Sequence, residues 1–181
     1  MNNLIGIEPE VVLVHGPKKL MITKYLWHLP TIGIVASYSP REIDVEDHFG
    51  VFRGVDMVES FVQSTIVSCT AYNETIKQQC TFDVLKQTFY PIFTSIGQVN
   101  FHGYLELGDT FISVGHIKHY KFREMICDGR IYKVTPGLDL DDYFSRFTEE
   151  RLLNFDFDNN FKLIAELSGM TGRAIKQEKF K

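Results

Sequence analysis

The chain has 181 residues, 44% of them apolar and 23% charged, with 19 Lys+Arg against 23 Asp+Glu. That length suits one domain, alone or with an appendage, and 15 Phe with 8 Tyr are far too aromatic for a disordered chain. A net charge of −4 offers no general attraction to nucleic acid or an acidic membrane, and three cysteines without a CxxC spacing argue against a disulfide framework or zinc site.

Apolar runs are only a few residues long, as at Val11-Val12-Leu13-Val14, too short to span a bilayer. Glu8 and Glu10 stand where a signal peptide needs an unbroken apolar core. The expectation is a soluble, reduced, cytoplasmic protein. Residues 1–19 read as a lead-in, with residues 11–14 as a short strand closed by the turn His15-Gly16-Pro17. Residues 20–29 and 32–47 read as an antiparallel pair of strands, the second alternating through Ile32, Ile34, Ala36, Ile43 and Val45.

A helix is expected over residues 54–71, where Val55, Val58, Phe61, Val62 and Ile66 recur at helical spacing and Val67 and Ala71 extend the stripe. Its weakly polar flanks predict a helix wrapped by other structure. A second helical piece is expected over 81–88. Strands follow over 92–104, 110–118 and 121–127; Asp128-Gly129 is a hairpin signal, with 130–134 returning from it. Past Thr135-Pro136-Gly137, Leu140, Tyr143, Phe144 and Phe147 share a helical face, with Asp139, Asp141 and Asp142 in its first turn. Residues 159–170 give another amphipathic helix through Phe161, Ile164, Ala165 and Leu167, and 173–181 form a basic, frayed end. The sum is an α+β chain with an antiparallel sheet: a lead-in (1–19), a main domain (20–137) and a helical extension (138–181).

The chemistry concentrates between Asp47 and Gln63. His48 ends a strand and can transfer a proton near neutral pH. The free amides at the helix start, at Gly54 and Val55, can polarise a carbonyl oxygen. Glu59 lies on a largely apolar helix, where burial would favour the protonated form that a general acid needs. Asp56, nearer the start, fits an acid complementing the helix dipole. Asp44, Glu46 and Asp47 read as a solvated strand end, because alternation splits them between two faces and gives no metal site with His48. His116 and His119, with Lys118 and Lys121, mark an exposed hairpin, and His102 beside Gly103 could approach a cleft. The tail aromatics Tyr143, Phe144, Phe147, Phe155, Phe157 and Phe161 read as packing. No phosphate-cradling Gly-rich loop, Gly-x-Ser-x-Gly elbow or His-Glu-x-x-His is present, so no cofactor is expected.

His48-Phe49-Gly50, Gly54-Val55, Glu59-Ser60 and Gln63 together resemble the hallmark of the 3-hydroxyacyl-acyl-carrier-protein dehydratases of bacterial fatty-acid synthesis. Gly108-Asp109 and Cys127-Asp128-Gly129-Arg130 resemble later turns of that family, and the similarity covers roughly residues 20–134. The resemblance implies a hot-dog fold, a sheet wrapped around the central helix, in a homodimer or larger homo-oligomer with active sites at the interface. It implies His48 as base, Glu59 of the other subunit as acid, and a Gly54 or Val55 amide as oxyanion donor. The substrate would be an acyl-carrier-protein or coenzyme A thioester, its chain lined by Phe49, Met57 and Phe61, with Gln63 orienting the shell or packing in the interface. A basic patch of Arg53, Lys118, Lys121 and Arg123 could dock an acidic carrier.

Three departures stand out. The loop from His48 to Gly54 is about three residues short, some twenty residues are inserted ahead of Ile92, and the span between residues 109 and 128 implies clipped strands. Two rivals follow: a hot-dog thioesterase using Glu59 or Asp56 to activate water, and a non-catalytic member of the fold holding an acyl chain or a partner.

Overall fold

The helix that begins at Gly54 runs on to Gln78, and the rest of the chain is built around it. The computed structural model describes residues 3–177. The helix comprises Gly54–Val62, a π-helical turn Gln63–Val67, and Ser68–Gln78. A π turn widens the backbone and loosens its carbonyls, and this sequence supplies hydroxyls to take them up. Ser68 Oγ donates to Gln63 O at 2.7 Å, Thr65 Oγ1 to Phe61 O at 2.7 Å and Ser64 Oγ to Ser60 O at 3.0 Å. The helix outruns its apolar stripe because Glu74 is buried yet satisfied, accepting from Tyr120 OH and Gln78 Nε2, each at 2.6 Å.

The described residues form nine strands around it: β1 (Lys24–Leu29), β2 (Gly33–Tyr38), β3 (Val51–Phe52), β4 (Phe89–Ser95), β5 (Gln98–Phe101), β6 (Leu105–Glu106), β7 (Phe111–Lys121), β8 (Glu124–Val134) and β9 (Phe161–Lys176). The main sheet runs β1-β2-β7-β8-β9-β4, antiparallel throughout, with β5 also on β9 and β3–β6 as a separate pair. The helix rests on three glycines of adjacent strands. A Cβ on Gly115 would lie 2.1 Å from Thr65 Cγ2, on Gly129 2.3 Å from the Phe61 ring, and on Gly172 2.5 Å from Ile66 Cγ2.

Both faces of the sheet are buried. The helix side holds Met21, Tyr25, Ile34, Phe61, Phe111, Met125 and Ile131 with lead-in residues Leu4, Val12 and Leu13. The other side holds Val35, Ile112, Val114, Tyr132 and Phe161 under Phe144, Phe147 and Leu152. Phe144 and Leu152 come from the two short helices Leu140–Ser145 and Glu149–Asn154, and Phe147 from the connection between them. Asp139 caps the first, accepting from the amides of Asp141 and Asp142, each at 3.0 Å. The helix over 81–88 is found as Phe82–Thr88, capped by the Thr81 hydroxyl.

Five local expectations are corrected. Residues 9–12 form one helical turn with Pro9 at its start, not a strand over 11–14. The second strand stops at Tyr38, before Pro40, and Glu42–Val45 is a short helix locked by Arg41 N donating to Asp44 Oδ2 at 2.8 Å. The strand expected over 92–104 is divided between β4 and β5, and residues 102–104 belong to no strand. The hairpin turns at Phe122-Arg123, both with positive φ (52° and 64°), so β7 and β8 are eleven residues each and nothing is clipped. Gly129 lies inside β8, required by the Phe61 ring rather than by a turn.

The fifth correction is the largest. Residues 159–170 are not a helix; the later half of the expected extension is β9, sixteen residues long between β8 and β4. Its pairing with β8 slips at Ile131/Tyr132. The bulge sends Phe161 and Leu163 to one face and both Ile164 and Ala165 to the other, and such a slip imitates helical spacing. Of the expected frayed end, Arg173 and Lys176 lie in β9, and residues 178–181 lie outside the described residues.

Candidate acid–base site on the central helix

The chain enters the helix through β3, pinned by Phe52, whose ring packs between Tyr38 and Phe111 at centroid distances of 6.0 and 5.7 Å. The shortened loop ahead of it achieves its turn with positive φ at Asp47 (62°), Phe49 (57°) and Gly50 (78°). His48 sits in that turn, half-buried, with its amide donating to Val45 O at 3.1 Å and its carbonyl accepting from Val51 N at 2.9 Å. Phe49 projects fully into solvent, at 103% relative exposure. Asp44, read as a solvated strand end, instead accepts from Arg41 and from Tyr38 OH.

At the helix start no side chain caps the backbone. The Arg53 guanidinium turns to Asp56, with Nε donating at 2.5 Å and Nη2 at 2.9 Å. Arg53 O accepts from the amides of Asp56 and Met57, each at 3.0 Å. The Gly54 and Val55 amides precede these and have no acceptor among the described residues. The Phe101 ring covers Gly54 so closely that a Cβ there would lie 2.8 Å from its Cζ. A bulkier residue would displace that ring from the helix start.

A turn and a half further on, Glu59 leans toward the lead-in segment. Gln63, fully buried, organises this contact. Its Nε2 donates to Glu59 Oε1 and to Lys19 O, both at 2.8 Å, while its Oε1 accepts from Met21 N at 2.9 Å. Ser60 Oγ adds a donation to Met21 O at 2.7 Å. His15 Nε2 lies 3.5 Å from the same Glu59 Oε1. The Glu59 side chain keeps 44% of its surface, so within one chain it is not the buried carboxylate expected from the apolar helix. His15 is more enclosed, at 20%, and burial pushes its pKa below the ordinary imidazole value while the Glu59 carboxylate opposes.

The remaining expected residues divide. Met57 and Phe61 are packed core and present no surface to a ligand in the single chain; Val55 is exposed. His102 meets Glu166 at 3.1 Å, beside Arg130 at 3.2 Å from the same carboxylate. The four basic residues do not gather: Arg53 is engaged at the helix start, whereas Lys118, Lys121 and Arg123 belong to the β7–β8 hairpin. That hairpin's Tyr120 meets the helix at Glu74, twenty residues and about 30 Å of helix away. Among the described residues, no group of three or more His, Cys, Asp or Glu is placed to hold a metal ion. No described helix is long and apolar enough to cross a membrane.

Two features escaped the sequence reading. His15 was legible only as part of a turn, and no spacing links it to Glu59. An apolar cleft begins at Val62, one turn past Glu59, and runs along Ile66 and Thr70 toward Leu85, Phe89 and Ile92, with Arg173 on its lining.

No family model matches the chain, and no curated protein matches it. Solved structures do. The dehydratase heterocomplex ApeI:P from Xenorhabdus doucetiae aligns at a TM-score of 0.66 and 7% identity, over 96% of this chain and 95% of that one. A hypothetical thioesterase from Streptococcus pneumoniae TIGR4 aligns at 0.49 and 9% identity over 83% and 88% of the two chains. A 1,4-dihydroxy-2-naphthoyl-CoA thioesterase from Synechocystis aligns at 0.47 and 12% identity over 82% and 86%. Identities this low speak to fold alone. The chain has the hot-dog fold: an antiparallel sheet wrapped around a long helix.

Proposed function

We propose that the chain is an acyl-thioester enzyme that interconverts a (3R)-hydroxyacyl thioester and its trans-2-enoyl product. The observation that carries this reading is one helix presenting two unengaged amides at its start and an oriented carboxylate a turn and a half later. His48 would remove the proton from the carbon next to the thioester carbonyl. The Gly54 or Val55 amide would stabilise the enolate-like oxygen that develops. Collapse of that enolate expels the 3-hydroxyl, which Glu59 protonates directly or through a water, so that water leaves.

Within one chain His48 and Glu59 have no contact, and the reading places them together across a homodimer. Two features support a partner subunit. The outer edge of β4 and β5 is unpaired among the described residues, and both strands bond only to β9. Phe49, Val55, Phe101, Tyr104 and Leu107 are exposed on the segments around the helix start, an apolar surface suited to burial between subunits. The acyl chain would lie in the cleft past Val62 rather than against Met57 and Phe61, carried by acyl carrier protein or coenzyme A, in cytoplasmic fatty-acid or related lipid synthesis.

The partial exposure of Glu59 and its Oε2, unpartnered among the described residues, favour one second reading, a thioesterase in which that oxygen activates water. Offering crotonyl-CoA separates the possibilities. Loss of enoyl absorbance without thiol release is the expected result, with His48→Ala and Glu59→Gln each lowering the rate by about 10²–10⁴-fold. Thiol release that survives His48→Ala identifies the thioesterase; silence in both channels leaves a binding protein.

A further inference from the structure

We propose that His15, ahead of the first strand, is a positioning residue for Glu59, holding Oε1 so that Oε2 is the oxygen presented to substrate. This rests on the reading of Glu59 as the reactive carboxylate. Its first support is that both neighbours of the carboxylate reach the same oxygen: Gln63 Nε2 at 2.8 Å and His15 Nε2 at 3.5 Å, with Oε2 unpartnered among the described residues.

The second support is that the segment bearing His15 is strapped down. Its following turn closes with Lys19 N and Leu20 N donating to Gly16 O at 2.9 and 3.1 Å. Arg41 Nη1 holds Pro17 O at 2.8 Å, and Gln63 and Ser60 bind Lys19 and Met21 from the helix side. The imidazole is therefore delivered to Glu59 by the fold and not by a free terminus.

The ring's own chemistry agrees. Nδ1 is buried without a hydrogen-bond partner among the described residues. A protonated ring would bury an N–H there with no acceptor, which costs more than leaving a lone pair unused. The neutral ring with its hydrogen on Nε2, the nitrogen 3.5 Å from Glu59 Oε1, is the form the site accommodates. One hydrogen bond from Gln63 and a second nitrogen within electrostatic reach of the same oxygen bias the carboxylate's torsion. Loss of about 1 Å of placement costs on the order of 100-fold in rate.

The test is a double-mutant cycle on crotonyl-CoA turnover with the full chain. His15→Ala is expected to lower kcat by about 10- to 100-fold with KM little changed, and His15→Gln, which keeps an N–H donor, to restore most of it. In the Glu59→Gln background, His15→Ala should add nothing. Nitrogen NMR of the His15 ring supplies a readout independent of activity. The hydrogen should sit on Nε2, and Glu59→Gln should lower the His15 pKa further by removing the opposing carboxylate. Multiplicative losses in the cycle, or an unaltered His15 ring in Glu59→Gln, overturn the assignment. A chain silent on thioesters whose His15 ring still responds to Glu59→Gln keeps the pairing but overturns the positioning role, because the function has failed and not the contact.

Discussion

The two faces of the sheet are covered by different chemistry. On one lies a single helix of residues 54–78 with Ser60, Gln63, Ser64, Thr65, Ser68, Thr70 and Glu74 all buried. On the other, two six-residue helices bring a cluster of rings, with Phe147 and Phe157 at 5.3 Å, Phe144 and Phe147 at 5.0 Å and Tyr132 and Phe157 at 4.7 Å. Polar atoms enter that second layer mainly as ring tips, such as Trp27 Nε1 donating to Phe147 O at 3.1 Å. Dispersion and area burial suffice to cover a sheet; buried hydroxyls and amides are needed where a backbone must deviate and a carboxylate must be aimed. The helix face combines both requirements within a dozen residues.

If the aromatic layer only stabilises, its loss should lower stability and leave the chemistry intact. Phe144→Ala is expected to cost about 3–5 kcal/mol in urea unfolding, with turnover per folded molecule unchanged. A matching fall in turnover would break the division between the faces.

The helix face should show the stronger acid sensitivity. His28, buried on that side, accepts from Leu4 N at 3.1 Å and stacks edge-on against Tyr72, and burial lowers its pKa from 6.5 to about 4. Above pH 6.5 the ring is neutral in both folded and unfolded chains. Between 6.5 and 4 the unfolded chain takes up a proton that the folded one refuses, so stability falls as pH falls. The loss reaches about 3 kcal/mol by pH 4. In His28→Asn, which retains an acceptor, thermal melts across this range should show a flatter acid limb.

The smallest effect concerns the π turn. Ser68→Ala strands both Gln63 O and the Tyr25 hydroxyl, which meets Ser68 Oγ at 2.8 Å, and should cost about 1–3 kcal/mol. Because the same turn carries Gln63, a rise in KM or a fall in kcat beyond that loss would show the bulge aiming Glu59. Equal kinetics would confine it to packing.

The candidate site was legible where its signal is local. His48, the helix-start glycine, Glu59 and Gln63 lie within sixteen residues, and one loop and one helix define their order. His15 was not legible, because its partner is 44 residues away and only the strap of Lys19 and Met21 on Gln63 brings them together. Phe61 and Met57 are expected as pocket linings from the family resemblance alone, and both are packed into the core. Val62, one position on, lines the cleft.

Sequence alone determined the α+β class, the start of the central helix and its wrapping, because hydrophobic periodicity acts over a few residues. Tertiary structure decided what each glycine was for, where the hairpin turned and that residues 161–176 are a strand. Gly129 reads as a turn until the Phe61 ring is placed over it, and a bulged strand reads as a helix until its partner fixes the register. Those outcomes depend on contacts between distant segments, whose energies no local pattern encodes.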